Sequence, residues 1–309
     1  MSISPIDAAR DAIAHTRRHV LPFRFGNWFV LGFLAFLDQC GRSAWNSGPH
    51  WNLGHHRDRG EEMAGGRFGG DLARAVEFAL AWLSEHLLLV VVGSIVGLMA
   101  MAAVIALVFW INARGTFAYL DCVASGRVEV GRPWREHATA TNSYFAWRLG
   151  LALAALAIVV VTALLGAVVV VSMVRRPGWT GGAMALALVP VLLVLLLAVP
   201  LLLLAGVALR DFVAPLQLAT GASCGRAIEV FEGLVVAHPG AFLLYLLLKI
   251  VLVIATGIIV VLGGCLTCCL GFLPVVCQTL FQPLFFFERA WPLFLLRQIG
   301  HDLPARLQG

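Results

Sequence analysis

A set of long apolar runs with almost no charge restricts this chain more than any other feature. Residues 87–111, 149–174 and 183–209 contain no Asp, Glu, Lys or Arg, and 241–262 contains only Lys249. About 20 consecutive apolar residues in a helix match the ~30 Å hydrocarbon thickness of a bilayer. Every backbone N–H and C=O in hydrocarbon must find its partner within the segment, so such runs fold as membrane-spanning helices. Two further runs, 21–38 and 271–296, complete a set of six. The first reaches spanning length only if Arg24 carries its charged head to the interface. The expected fold is therefore all-α: one polytopic bundle over residues 1–309, with amphipathic helices beside the membrane. Composition agrees, since 13% of the 309 residues are charged, against roughly 25% in soluble chains. Mean hydropathy is +0.89.

Three stretches read as juxtamembrane helices. In 4–19, Ser4 is placed to cap, Pro5 fits the first helical position, and Asp7 lies in the first turn. Ile6, Ala9, Ile13 and Val20 share one face; Asp7, Arg10, Asp11, Arg17 and Arg18 lie off it. Such a helix would lie in the headgroup layer; a weakly helical polar tail is the alternative. Asp71 caps a second stretch with Leu72, Val76, Ala79 and Leu83 on one side. Ser223 caps a third, with Ile228, Phe231, Leu234 and Val235 opposite Arg226, Glu229 and Glu232. Capped helix followed by hairpin then forms a weak internal repeat. Pro190, Pro200 and Pro283 fall inside expected spans, where each removes a backbone bond and kinks the helix. They mark either bending against neighbours or gating hinges. No cleavable leader is expected: the first apolar core lies too far in, and insertion is through an uncleaved first helix.

Positive charge near span ends sets orientation. With the N-terminus inside, 14 arginines fall on inner segments and seven on outer ones. Both termini are therefore expected on the cytoplasmic side. The Arg-rich usage, with Lys249 the only lysine, suggests a bacterial source and hence the bacterial inner membrane. The net charge of +5 suits anionic lipid. Nucleic acid is not an expected partner, because no basic face with interleaved aromatics is present.

The most patterned polar stretch is 113–147, which joins two apolar runs on the expected inner face. Arg114, Asp121, Arg127, Arg132, Trp134 and Arg135 are its candidate contacts to lipid or a partner protein. The pattern Arg114-Gly115-x-Phe117-x-Tyr119-Leu120-Asp121-x-Val123-Ala124, followed by Arg127-x-Glu129-x-x-Arg132-Pro133-Trp134, resembles the signature of an uncharacterised bacterial family of polytopic membrane proteins. Asp211-Phe212-Val213-x-Pro215, Cys265-x-x-Cys268-Cys269 with Pro274, and Gln298-x-Gly300 extend the likeness over most of the chain. More distantly, the arrangement is similar to the membrane-anchoring domain of glycerophosphoryl diester phosphodiesterases. The catalytic barrel of those enzymes is absent, so the resemblance implies a fold and not an activity.

Three other constellations carry chemistry. His50, His55, His56, Glu61 and Glu62 crowd the loop 39–70 and have the donor types of a transition-metal site. The surrounding glycines supply no scaffold to orient ligands, and a solvated loop is the expected reading. Cys265, Cys268 and Cys269 sit in the last hairpin, where tight packing, a disulfide and a metal site remain open. Lys249 lies about 12 Å into its apolar run, which makes it a candidate intramembrane functional residue. It either snorkels to the inner face, pairs inside with Asp211 or Glu288, or meets a substrate.

No nucleophile has a neighbouring base. Cys122 beside Asp121 is not a dyad, Ser125 has no histidine at useful spacing, and no glycine-rich stretch matches a phosphate cradle. The expectation is a non-enzymatic membrane scaffold or lipid- or partner-binding component, without cofactor. Its partners would be membrane lipids and another membrane protein. A small transporter or channel subunit is the alternative; a lipid-acting enzyme rests on the distant phosphodiesterase similarity alone.

Overall fold

The computed structural model describes residues 3–21, 23–39, 78, 82, 85–175, 181–267, 273 and 275–308. All regular structure among them is helical. The chain divides into two compact units, one of residues 1–40 with 109–309 and one of 41–108. The described part of the second unit is mainly the opening of helix α3 (Leu87–Ser125), whose residues 87–108 expose apolar side chains.

The first helix, α1 (Pro5–Val20), forms where its signals place it. Ser4 Oγ accepts the Asp7 N–H at 3.2 Å, and proline occupies the first turn. The face packed within the protein is a second one, which shares Val20 with the apolar face read from the sequence. Pro5, Ala8, Ala12, Thr16 and Val20 face inward, while Ile6 and Ile13 are half exposed. Small side chains let α1 lie close against α11 (Gln282–Gln298). The pairing is held by Trp291 Nε1 donating to the Pro5 carbonyl (2.9 Å) and an Arg297–Asp11 ion pair (2.6 Å). Gln298 also exchanges hydrogen bonds with the Ser4 backbone. This helix is therefore built into the core, and the larger apolar residues are left for its surroundings.

Among the described residues, four helices are long and apolar enough to cross a membrane: α3, α5 (Ala138–Arg175), α6 (Gly181–Ala208) with its continuation, and α9 (Pro239–Leu266). Two of the six expected spans fall short. The run 21–38 yields α2 (Phe25–Gln39), whose 15 residues extend about 22 Å. The run 271–296 is broken at Phe281 into α10 (Val276–Leu280) and the 17-residue α11. Pro283 lies in the first turn of α11, not in a helix interior; Pro292 is the interior proline. Pro190 and Pro200 do lie inside α6. Helix α3 also runs past its expected end at Ile111, so Arg114 and Asp121 ride on a helix and not a connector. Short α4 (Gly131–Glu136) follows.

Burial shows which ends meet within the larger unit. Helix α3 is buried from Asn112 to Ser125, and α5 at Thr141 and Tyr144, near its start. The chain is buried from Leu209 onward after α6, and α9 at Phe242, Tyr245 and Lys249, near its start. Beyond these points the helices expose Leu, Val and Ile along their length, as lipid-facing helices do. The connections α3–α5 and α6–α9 thus share one end with α1 and α11. The second connection holds α7 (Ala214–Thr220) and α8 (Cys224–Ala237). Ser223 is the N-cap of α8, without a side-chain bond. Ile228, Phe231, Leu234 and Val235 pack on the core as their spacing predicts. The chain closes with α12 (Leu303–Gln308).

Of the expected loop 39–70, Gln39 closes α2, while 40–70 with the histidines, the residues Leu72, Val76, Ala79 and Leu83, and Cys268 and Cys269 lie outside the described residues. Cys265 is an exposed free thiol.

Candidate functional site

Six ionisable side chains meet where the helices converge. Between α6 and α7 the backbone widens into a π-helical turn, Leu209–Val213. A π turn rotates successive side chains less than an α turn does, and here Arg210 and Asp211 both point into the core at 4% and 1% exposure. Arg210 reaches Asp38 at the end of α2, with Nη2 at 2.6 Å and Nε at 3.1 Å from Oδ2. Its Nη1 donates to Glu288 Oε1 at 2.9 Å. From α9, Lys249 Nζ lies 2.9 Å from Asp211 Oδ2 and 3.1 Å from Glu288 Oε1. Arg289 Nη1 donates to the Arg210 carbonyl (2.6 Å) and stands 4.0 Å from Asp211 Oδ1.

Three cations, Arg210, Lys249 and Arg289, thus balance three carboxylates, Asp38, Asp211 and Glu288. A buried charge is tolerated when it is paired and hydrogen-bonded, and here α2, the π turn, α9 and α11 each supply part of the set. Neutral groups complete it. Tyr245 donates to Asp211 Oδ2 (2.9 Å), and Gln282 Nε2 donates to the Tyr119 hydroxyl (3.0 Å). Asn112 Nδ2 bridges the Leu37 and Asp38 carbonyls at 2.7 and 2.8 Å, tying the end of α2 to α3. Gly115 permits this approach, because a Cβ there would meet the Leu37 backbone at 2.9 Å.

Lys249 therefore pairs inside, with both partners named from its sequence position, and does not snorkel. The sequence reading did not single out Asp38, Arg210 or Arg289. The rule that flagged Lys249, an ionisable residue within or beside an apolar run, applies equally to Asp38, Arg210-Asp211 and Glu288-Arg289. Read together, they would have been found as a set of matching charge.

The candidate contacts of 113–147 separate into two kinds. Arg114 stacks over Trp110 (5.1 Å) and Trp134 (6.0 Å) and donates to the Trp134 carbonyl. Asp121 is buried and faces His137 Nε2 at 3.4 Å. These three, Arg114, Trp134 and Asp121, hold the connection in place. Arg127, Arg132 and Arg135 are exposed, with Arg132 between Glu129 (3.7 Å) and Glu136 (3.8 Å). The thiol of Cys122 donates to the Glu129 carbonyl at 3.1 Å and is buried.

At α1, His15 is flanked by Phe286 (5.7 Å) and Phe294 (5.3 Å), and its Nε2 meets the Val123 carbonyl at 2.8 Å. That carbonyl lies in the last turn of α3, where backbone acceptors lack helical partners. Burial lowers the His15 pKa below 6.5, outweighing the opposing effect of this bond.

Residues 3–299 match the model of a family of unknown function, DUF7544. No curated protein and no solved structure matches the chain. The distant similarity to phosphodiesterase anchoring domains has no support among these matches.

Proposed function

The chain belongs to DUF7544, a family of unknown function, and from its own residues we propose that it is a non-enzymatic integral membrane protein, a scaffold that binds lipid or a protein partner. The observation that carries this reading is the charge-balanced cluster of Asp38, Arg210, Asp211, Lys249, Glu288 and Arg289. Each carboxylate there is occupied by a cation, and five of the six residues are no more than 4% exposed. Such a set fixes helices against one another; acid–base work on a substrate requires a reachable group. The exposed charges that remain at the same end, Arg127, Arg132 and Arg135 among them, suit anionic headgroups or a partner surface. The setting is the bacterial inner membrane with both termini cytoplasmic, supported by the arginine distribution and the shared end of the polar connections.

Crosslinking and affinity capture from native membranes test this. Wild-type protein is expected to retain a partner that Arg132→Ala with Arg135→Ala loses. Capture unchanged by the substitutions counts against the 113–147 surface as the docking site.

The second reading, a small transporter or channel subunit, is favoured by Lys249 lying between two carboxylates in a candidate span. Proteoliposomes loaded with a pH-sensitive dye discriminate. Proton flux that disappears in Lys249→Met would put transport ahead of scaffolding.

A further inference from the structure

We infer that the elbow between α1 and α2 is a binding site for an anionic phospholipid, with Arg17 and Arg18 taking the phosphate and Phe23, Phe25 and Phe29 bordering the acyl chains. The inference rests on the lipid-binding reading above and assigns that reading a location.

A shallow, wide-open groove at the last turn of α1 is bordered, among the described residues, by Ala14, Arg17, Arg18 and Leu21. The charges of α1 divide into two groups. Toward its N-terminus Arg10 pairs with Asp7 (3.5 Å), and Asp11 is taken by Arg297 (2.6 Å). Arg17, Arg18 and Arg24 are exposed and enter no ion pair with a described residue. Acidic groups are therefore neutralised at one end of the helix, and net positive charge collects at the other, beside the groove. Burial, with a smaller contribution from the charge of Arg18, holds the pKa of both His15 and His19 below the usual imidazole value, so these neighbouring imidazoles add little positive charge near neutrality.

The elbow is preformed. Trp28 Nε1 donates to the Val20 carbonyl at 2.8 Å, closing one of the free acceptors at the end of α1. Phe23 packs edge-on against Trp28 at 4.8 Å, and Phe25 stacks on Phe29 at 6.3 Å. Despite these contacts, Leu21, Phe23, Phe25 and Phe29 are 56%, 64%, 68% and 50% exposed. Phe23 and Phe25 flank the exposed Arg24, and exposed aromatics beside an arginine match an interfacial belt. Charge complementarity selects an anion, and the exposed Leu21 at the groove, with the exposed rings that follow it in the chain, selects one that carries acyl chains. A free phosphate would use the arginines and leave the rings in water.

The test uses the purified full chain in detergent, titrated with phosphatidylglycerol or phosphatidylcholine, with retained lipid counted by native mass spectrometry. Wild-type protein is expected to prefer phosphatidylglycerol. Each arginine changed to glutamine should weaken retention roughly fivefold, and Arg17→Gln, Arg18→Gln and Arg24→Gln together on the order of a hundredfold. Arg226→Gln, which removes an exposed arginine already paired with Glu229 (3.1 Å), should leave it unchanged. Preference that survives the triple substitution overturns the site and leaves lipid binding standing. Absence of preference in wild-type protein overturns both. Displacement of the lipid by millimolar inorganic phosphate would reassign the groove to a free anion and overturn the lipid proposal. Gel filtration of the triple variant, and its retention with Phe23→Ser in place of the arginine changes, separate misfolding from loss of the site. Phe23→Ser should reduce retention of phosphatidylglycerol while leaving its preference over phosphatidylcholine; undiminished retention counts against the role of the rings.

Discussion

Lys249 Nζ stands 2.9 Å from Asp211 Oδ2, although the two residues are 38 positions apart and one of them lies in a run that is otherwise purely apolar. The pair joins α9 to the π turn, and Glu288 at 3.1 Å from the same nitrogen brings in α11. Removing the ammonium leaves the buried cluster one negative charge in excess. Lys249→Met should therefore destabilise the folded protein by about 3–5 kcal/mol, the range seen when one partner of a buried pair is deleted. Adding Asp211→Asn restores charge balance, and the double variant is expected to be more stable than the single one. Thermal unfolding in detergent, followed by tryptophan fluorescence, checks both. A single variant as stable as wild type would show that Lys249 is not held by these carboxylates.

Gly32 faces the backbone of Thr279, whose Cα and N lie 2.8 Å from where a Cβ would sit. Backbone cannot move aside as a side-chain end can. Gly32→Ala should force α2 and α10 apart and cost about 1–3 kcal/mol, the usual penalty for overpacking. Gly166→Ala is the control, since nothing lies within 4 Å of its Cβ and alanine is the better helix former. Unfolding midpoints of the two variants measure the difference, and equal values would refute the close approach.

The long helices are legible because hydrocarbon leaves the backbone one solution, and uncharged runs announce it. Sequence reading fails where tertiary packing decides. The runs 21–38 and 271–296 are as apolar as weak spans, yet α2 and α11 are used as core elements: α2 packs on α10 and α11, and α11 packs on α1, which buries the small residues Ala8 and Ala12. Small residues carry little hydrophobicity, so a reading weighted toward Ile6 and Ile13 does not find the face that packs against α11. The ion cluster shows the reverse case. Each charge is visible, but the π turn that brings Arg210 and Asp211 inward together has no periodicity to detect. Lys249 is isolated within a run and stands out alone; the other charges become legible only when the same rule is applied to the ends of all the runs together.

Acid should loosen α1. Burial holds the His15 pKa below its unfolded value of 6.5, and burial likewise lowers that of His19. The neutral form is thus favoured in the folded state. Its contribution is complete above about pH 6.5 and is lost as the pH falls through the folded-state value, because the unfolded chain takes up the proton first. The unfolding midpoint should fall as pH is lowered from 7 through 6 and below. His15→Gln with His19→Gln, which cannot protonate, should flatten that slope, while the amide introduced by His15→Gln still offers a donor to the Val123 carbonyl. A slope unchanged in the double variant would assign it to other groups.

The proposed orientation makes a prediction about opposite ends of one helix. Helix α9 starts at Pro239, just before the buried Phe242 and Tyr245, and its 28 residues end at Leu266, about 40 Å away along its axis. That exceeds the hydrocarbon thickness of ~30 Å, so the exposed Cys265 and the exposed Arg127 at the core end belong on opposite membrane faces. If the arginine-rich end is cytoplasmic, a membrane-impermeant maleimide applied to intact cells should label a variant whose single thiol is Cys265. A variant whose single thiol comes from Arg127→Cys should react only after the cells are permeabilised. The buried Cys224, whose thiol is pushed up to about 12 by burial, should react slowly in either state, since the thiolate is the reactive form. Labelling of Arg127→Cys in intact cells, with Cys265 protected, would invert the orientation and place the basic elbow at the outer face.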